Sequence, residues 1–265
     1  MKFALVDNVK VEATKGAKGI CPVCNKELIA KCGEIKINHW AHKKISDCDQ
    51  WWENETEWHR SWKNHFPTEW QEIILPDEQT GEKHIADVRT IHGLVIEFQH
   101  SKIDKQERIK REKHYKRMIW VVDGMRARRD YPDFVKGKKY FRKTTKENFY
   151  LIDYPETCFP ADWLESSVPV IFDYRGTEPQ DNLDDTKNHL YCLLPKQPNK
   201  REVTLAKISR VDFVNNIIND IWFKKTEPQK QIVKVPVRRG IVIKRPVPQY
   251  DFDPRKGRFV KRRRF

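Results

Sequence analysis

Two groups of residues in this chain of 265 have types and spacings that can do chemistry. In the run CPVCNKELIAKCGEIKINHWAHK, Cys21 and Cys24 form a C-x2-C knuckle, and His39 and His42 form an H-x2-H pair after fourteen intervening residues. Two thiolates and two imidazoles suit a tetrahedral Zn²⁺ whose closed shell leaves no place for water, so the spacing predicts a structural zinc. Such an ion stabilises a module too short to bury a core of its own. Cys48 follows His42 closely enough to replace one histidine as the fourth ligand, and Cys32 is a weaker candidate.

The second group lies in HIADVRTIHGLVIEFQHSKI, residues 84–103, which reads as two strands around a glycine turn. The three-residue connection IHG, with Gly93 in the left-handed region, pairs Thr90 with Leu94 and sets Asp87 opposite Glu97. In that register the apolar positions Ala86, Val88, Leu94, Ile96 and Phe98 coincide on one face, which favours it independently. The polar residues Asp87, Glu97 and Gln99 then sit on the face away from the core. Like charges directly opposed in a sheet are unfavourable, and a divalent cation between them removes the conflict. Carboxylates suit a hard ion, Mg²⁺ or Mn²⁺, and such an ion beside a phosphate does phosphodiester chemistry. The blander reading is an exposed polar strand face paired with Arg89 or with lysines.

These residues need elements to hold them. FALVDNVKVEA predicts a short hairpin leading into the Cys-rich knuckle. Trp58, Trp62 and Phe66 recur at helical spacing before Pro67, and the strand EWQEIILP, the two strands above, a charged helix over about 104–117 and the apolar strand MIWVV follow. VPVIFDY, HLYCLLP and VTLAKISR predict strands of a β-rich part, and RVDFVNNIINDIWF an amphipathic helix with Asp212 as N-cap and Phe213, Ile217 and Ile221 on one face. The expected domains are 1–49, 50–124, 125–224 and a basic, flexible tail over 225–265, extended or disordered until bound.

Composition narrows the partners. The net charge is +14, and residues 225–265 hold 14 Lys and Arg against 3 acids. A basic stretch that ends RKGRFVKRRRF, arginines between aromatics, suits phosphate contacts and base stacking, so a nucleic acid, single-stranded or distorted, is the expected partner. No apolar run is long enough for a membrane span and MKFALVDNVK is no signal peptide, which predicts a cytoplasmic protein with reduced thiols.

The pieces CPVC, NHWAHK, ETEWHRSWK, ADV, IEFQHSKI and the downstream ER, Y and IW come in an order that resembles the competence protein CoiA family, over about residues 1–123. The resemblance implies a mixed α/β fold: a PD-(D/E)xK, restriction-endonuclease-like core of order αβββαβ, a zinc-ribbon-like module before it and a β-rich part after it. It makes Asp87 and Glu97 the metal-binding acids, puts Gln99 where lysine usually stands, and lines the first helix with Glu55, His59 and Lys63. Glu55 reaches the metal directly or through water, and His59 positions phosphate or shuttles a proton. An amide brings no positive charge, so Lys63, Lys102 or a second metal must compensate for Gln99, with Ser101 and Tyr115 supporting the site. The function implied is a metal-dependent DNA nuclease acting on single-stranded or branched DNA in recombination or DNA uptake, beside recombination proteins. The alternative is a catalytically inactive DNA-binding or scaffold protein that uses the zinc module and the basic tail.

Overall fold

A computed structural model describes residues 1–43, 48–49, 51, 53, 55–77, 80–179, 185–197, 201–222 and 250–261. The chain divides into two units, Met1–Lys224 and Lys225–Phe265.

Unit 1 opens with a five-stranded antiparallel sheet: β1 (Phe3–Val6), β2 (Val9–Glu12), β3 (Lys18–Ile20), β4 (Glu27–Lys31) and β5 (His39–His42), in the order β2-β1-β3-β4-β5. Asp7 and Asn8 both take positive φ in the two-residue loop between β1 and β2, the twist that hairpin turns need. The core here is small, built from Ala4, Leu28 and Trp40 with Cys21 beside them. At Gly19 a Cβ would stand 2.7 Å from that of Ala4, so the strands approach closely only without a side chain.

Next come α1 (Glu57–Lys63), β6 (Gln71–Pro76), β7 (Lys83–Arg89), β8 (Val95–Gln99), α2 (Lys105–Tyr115) and β9 (Met118–Asp123), an αβββαβ order. Thr56 caps α1 and Asp104 caps α2, each accepting main-chain N–H groups of the first turn. The parallel pair β8–β9 is bridged by α2, as parallel strands require. The chain continues through α3 (Asp130–Lys138), β10 (Arg142–Lys143), β11 (Phe149–Ile152), α4 (Ala161–Leu164), β12 (Val170–Asp173), β13 (His189–Leu193), β14 (Val203–Ser209) and α5 (Arg210–Ile218).

All these strands form one nine-stranded sheet, β10-β11-β14-β13-β12-β9-β8-β7-β6, because β12 pairs in parallel with β9. The strands expected to make a separate β-rich part after residue 124 therefore extend the sheet that carries Asp87 and Glu97. One core layer holds Trp58, Trp62, Val88, Leu94, Ile96, Phe98 and Phe213, and the other holds Trp120, Phe134, Trp163 and Phe172. Ala86, fully buried, belongs to the second layer and not to the first. Both indoles of α1 donate to Oδ2 of the buried Asp173, at 2.9 and 3.0 Å, which fixes the helix against the sheet.

Two local expectations change. Ser209, not Asp212, caps α5, its hydroxyl accepting the Asp212 N–H, and Ile221 lies beyond the helix and is exposed. In unit 2 the described residues form a hairpin, β15 (Tyr250–Asp253) with β16 (Arg258–Lys261), where an extended or disordered tail was expected. Residues 225–249 and 262–265 of that tail lie outside the described residues. Among the described residues no helix is long and apolar enough to cross a membrane.

Candidate functional site

The Cys/His donors converge at the end of the five-stranded sheet. Donor atoms of Cys21, Cys24, His42 and Cys48 all lie within 4.8 Å of one another. Cys21 Sγ is 3.5 Å from Cys48 Sγ, and Cys24 Sγ is 3.3 Å from His42 Nε2. A disulfide would need about 2.05 Å. Two sulfurs at about 2.3 Å from a tetrahedral ion stand roughly 3.8 Å apart, so the spacing fits a metal such as zinc. Burial pushes the Cys21 and Cys48 thiols up, and a cation among them reverses that cost.

His39 is not part of the cluster, which corrects the two-histidine expectation. Its Nδ1 instead lies 2.9 Å from the Ile37 carbonyl. The reason is the element: H-x2-H presents both rings together on a helix, but His39 and His42 bracket a strand, where residues three apart face opposite sides. Cys48 takes the vacant corner. Cys32 lies outside too, with its Sγ 3.7 Å from the Ala13 carbonyl.

The acidic residues meet where β6, β7 and β8 run side by side. Val88 pairs with Ile96 and Arg89 with Val95, and the Thr90 N–H donates to Leu94 across the Gly93 turn, the register expected. Past Val88 the ladder gives way to carboxylates. The Asp87 N–H donates to Glu97 Oε1 at 3.2 Å, and the Phe98 N–H to Asp87 Oδ2 at 2.9 Å. This face is not exposed: Glu97 and Gln99 are each 3% accessible, because α2 and the segment around Trp51 and Glu53 cover it. Burial, then the charge of Asp87, pushes the Glu97 carboxyl up to about 8, and burial raises Asp87 as well.

Cations from two helices answer these charges. Arg111 of α2 holds Glu97 Oε2 at 3.1 Å. Lys63, the last residue of α1, puts its ammonium 2.9 Å from Glu55, 3.1 Å from Glu72 and 3.7 Å from Asp87. Lys63 stays charged: burial opposes the ammonium, but Glu72, Glu55 and Asp87 together raise its pKa. Burial opposes Glu55 too, yet Lys63 and Arg60 bring it down to about 2. Glu55 precedes the Thr56 cap, so it meets Lys63 from outside α1 and not along a continuous helical face.

Four residues of the cleft were not expected. Glu72 adopts φ +48° on β6, in the left-handed region that a side chain rarely takes, and its carboxylate accepts the Lys2 and Phe3 N–H groups at 2.6 and 3.0 Å. Glu53 binds His59 Nε2 at 3.5 Å, the Gln99 amide nitrogen at 3.0 Å and the Ser101 N–H. Asp49 and Arg111 complete the set. Alternation within QEIILP and the acids of WWENETE were the available signals, and neither specifies a contact between distant elements.

His59 is engaged at both ring nitrogens, by Thr56 in a capping box and by Glu53. Gln99 turns its nitrogen toward acceptors on Glu53 and Ser101, which leaves its buried Oε1 without a hydrogen-bond partner among the described residues. An orphaned buried carbonyl oxygen beside two carboxylates of raised pKa is a donor set that fits a hard divalent ion. The free space of the cleft is about 50 Å³, room for an ion with a few waters but not for a nucleotide. Lys102 is exposed, and Tyr115 packs edge-on against Trp51.

A family model described as competence protein CoiA, N-terminal domain, matches residues 5–50, and one described as competence protein CoiA, nuclease-like domain, matches residues 84–158. The first stretch contains Cys21, Cys24, His42 and Cys48, and the second contains Asp87, Glu97, Gln99 and Arg111. Glu55, α1 and Glu72 fall between them. Neither the curated proteins nor the solved structures contain a match. Both matches are to one family, the N-terminal domain before the nuclease-like domain, and together they support a competence protein CoiA family assignment for this chain.

Proposed function

We propose that this chain is a metal-dependent DNA nuclease of the PD-(D/E)xK type, cutting single-stranded or branched DNA during DNA uptake or recombination. The observation that carries the reading is the Asp87–Glu97 pair, held face to face across β7 and β8 with Glu97 raised to about 8. Mg²⁺ or Mn²⁺ held by Asp87 and Glu97 would supply Lewis-acid polarisation of a phosphate and a stabilised leaving oxygen. The protein's own part is positioning and charge. Lys63 supplies the fixed positive charge that Gln99 lacks, and Glu55 and Glu72 hold its ammonium in place. Gln99 orients Glu53 and offers Oε1 to the ion or to its water. His59, braced by Thr56, orients Glu53 from the other side.

The terminal hairpin supports DNA as the partner. Phe252 and Phe259 pair across its strands with ring centroids 5.2 Å apart, and with Tyr250 they are exposed on one face next to Arg255, Lys256 and Arg258. Exposed rings flanked by cations suit stacking on unpaired bases.

The test is a cleavage panel over single-stranded, duplex and branched DNA with Mn²⁺ and Mg²⁺. Asp87→Ala and Glu97→Ala are expected to abolish cleavage while DNA binding persists; unchanged cleavage by both overturns the reading. The ion pairs from Lys63 and Arg111 to the acids favour a second reading, a non-catalytic DNA binder. That reading requires binding without cleavage throughout the panel.

A further inference from the structure

We propose that Cys48, Asp49, Trp51, Glu53 and Glu55 together couple the two metal sites, with Asp49 and Glu53 as positioning residues. A soft ion on the Cys/His cluster then tightens the hold of the acidic cleft on a hard divalent ion. This rests on the cleft being a divalent-ion site.

Cys48 is a donor of the cluster, and the other four each grip a different part of the cleft. Asp49 accepts the Ile85 N–H at 2.9 Å and lies 3.1 Å from His84 Nδ1, which ties it to β7 two residues before Asp87. The Trp51 carbonyl accepts from Arg111 at 2.5 Å, the cation that holds Glu97, and its ring stacks on His84 with centroids 3.3 Å apart. Glu53 orients Gln99, and Glu55 holds Lys63.

So β7, Arg111, Gln99 and Lys63 each take a contact from Asp49, Trp51, Glu53 or Glu55. Cys48 meets Cys21 through a thiol–thiol contact of 3.5 Å, which an ion at the cluster converts into two coordinate bonds. Fixing Cys48 removes conformational freedom that divalent-ion binding must otherwise remove, and this makes the two bindings cooperative. The linkage is reciprocal: the factor by which zinc strengthens the cleft is the factor by which the cleft's ion strengthens zinc.

The experiment measures Mn²⁺ affinity of the full chain from the free-ion paramagnetic resonance signal, with zinc bound and after chelation. The zinc-stripped chain is expected to bind Mn²⁺ about tenfold more weakly, and saturating Mn²⁺ to slow zinc loss to a chelator. Asp49→Ala, with zinc still bound one to one, is expected to bind Mn²⁺ weakly and no longer to protect zinc. Asp49→Asn keeps an acceptor for the Ile85 N–H and is expected to restore most of both effects. Because stripping can unfold the N-terminal sheet, the zinc-loaded Asp49→Ala chain decides. Mn²⁺ affinity and zinc protection equal to the unmutated chain overturn the coupling and leave the divalent site standing. No Mn²⁺ binding by the zinc-loaded chain overturns the divalent site, and the coupling with it.

Discussion

At the Cys/His cluster four donor atoms face one another within 4.8 Å, whereas in the acidic cleft the carboxylates are already met by Lys63, Arg60 and Arg111. The difference is one of dependence. Thiols and an imidazole gathered beside a sheet of five short strands would gain most of their stability from an ion, so a metal there would be part of the fold. The cleft carries cations of its own on α1 and α2 and stands against a nine-stranded sheet, so its shape does not need a metal. A structural ion and an exchangeable one are the expected consequences, and the contrast can be broken at either end.

The largest effect is expected at the cluster. Cys48→Ser should lose the bound zinc and cost the N-terminal sheet several kcal/mol, read by zinc stoichiometry and melting temperature. His39→Ala should keep one zinc per chain. A zinc-free His39→Ala protein would restore the two-histidine ligand set and remove the contrast.

Next is Lys63→Met, which leaves Glu55, Glu72 and Asp87 facing one another without their shared cation. Breaking a buried ion-pair network from one side costs about 3–5 kcal/mol, measured by denaturant unfolding. Mn²⁺ is expected to recover part of the loss, because the ion replaces the missing charge. No recovery would mean that the acids do not take a cation.

The cleft also predicts a pH signature. Glu97 titrates near 8 when folded against 4.5 as an ordinary carboxyl, so the folded chain holds that proton more tightly than the unfolded one. Without a divalent ion its contribution to stability falls as pH climbs from 4.5 through about 8, and Mn²⁺ affinity rises over the same window. In Glu97→Gln both trends should flatten. Glu55, depressed to about 2, acts elsewhere: its contribution is present above 4.5 and is lost only as pH falls toward 2.

The smallest effect is expected outside both centres. Phe252→Ala with Phe259→Ala should weaken binding of single-stranded DNA by about 1–3 kcal/mol per stacked base. Zinc content and Mn²⁺ affinity should not change, as read by titration at fixed salt.

Much of the fold was legible because two periodicities and a turn specify it. Alternation around Gly93 fixes the β7–β8 register, and the order of helical and strand patterns anticipates α1 through β9. Contacts between elements distant in sequence were not legible. The β9–β12 pairing joins residues about fifty apart and merges two expected parts into one sheet. The ligand set turned on whether H-x2-H lies on a helix or a strand, which spacing alone leaves open. Glu72 shows a further limit, since at positive φ its carboxylate meets the main-chain N–H groups of Lys2 and Phe3 and the ammonium of Lys63, none of them visible in QEIILP. At Gln99 the amide bridges Glu53 and Ser101, and the ammonium beside Asp87 is that of Lys63, thirty-six residues earlier.

The most direct test of the central claim is the position of Mn²⁺ located by anomalous scattering in crystals of the zinc-loaded chain soaked in that ion. Mn²⁺ is expected between the carboxylates of Asp87 and Glu97, in addition to zinc on Cys21, Cys24, His42 and Cys48. Zinc at the cluster with no Mn²⁺ at Asp87 and Glu97 would contradict it.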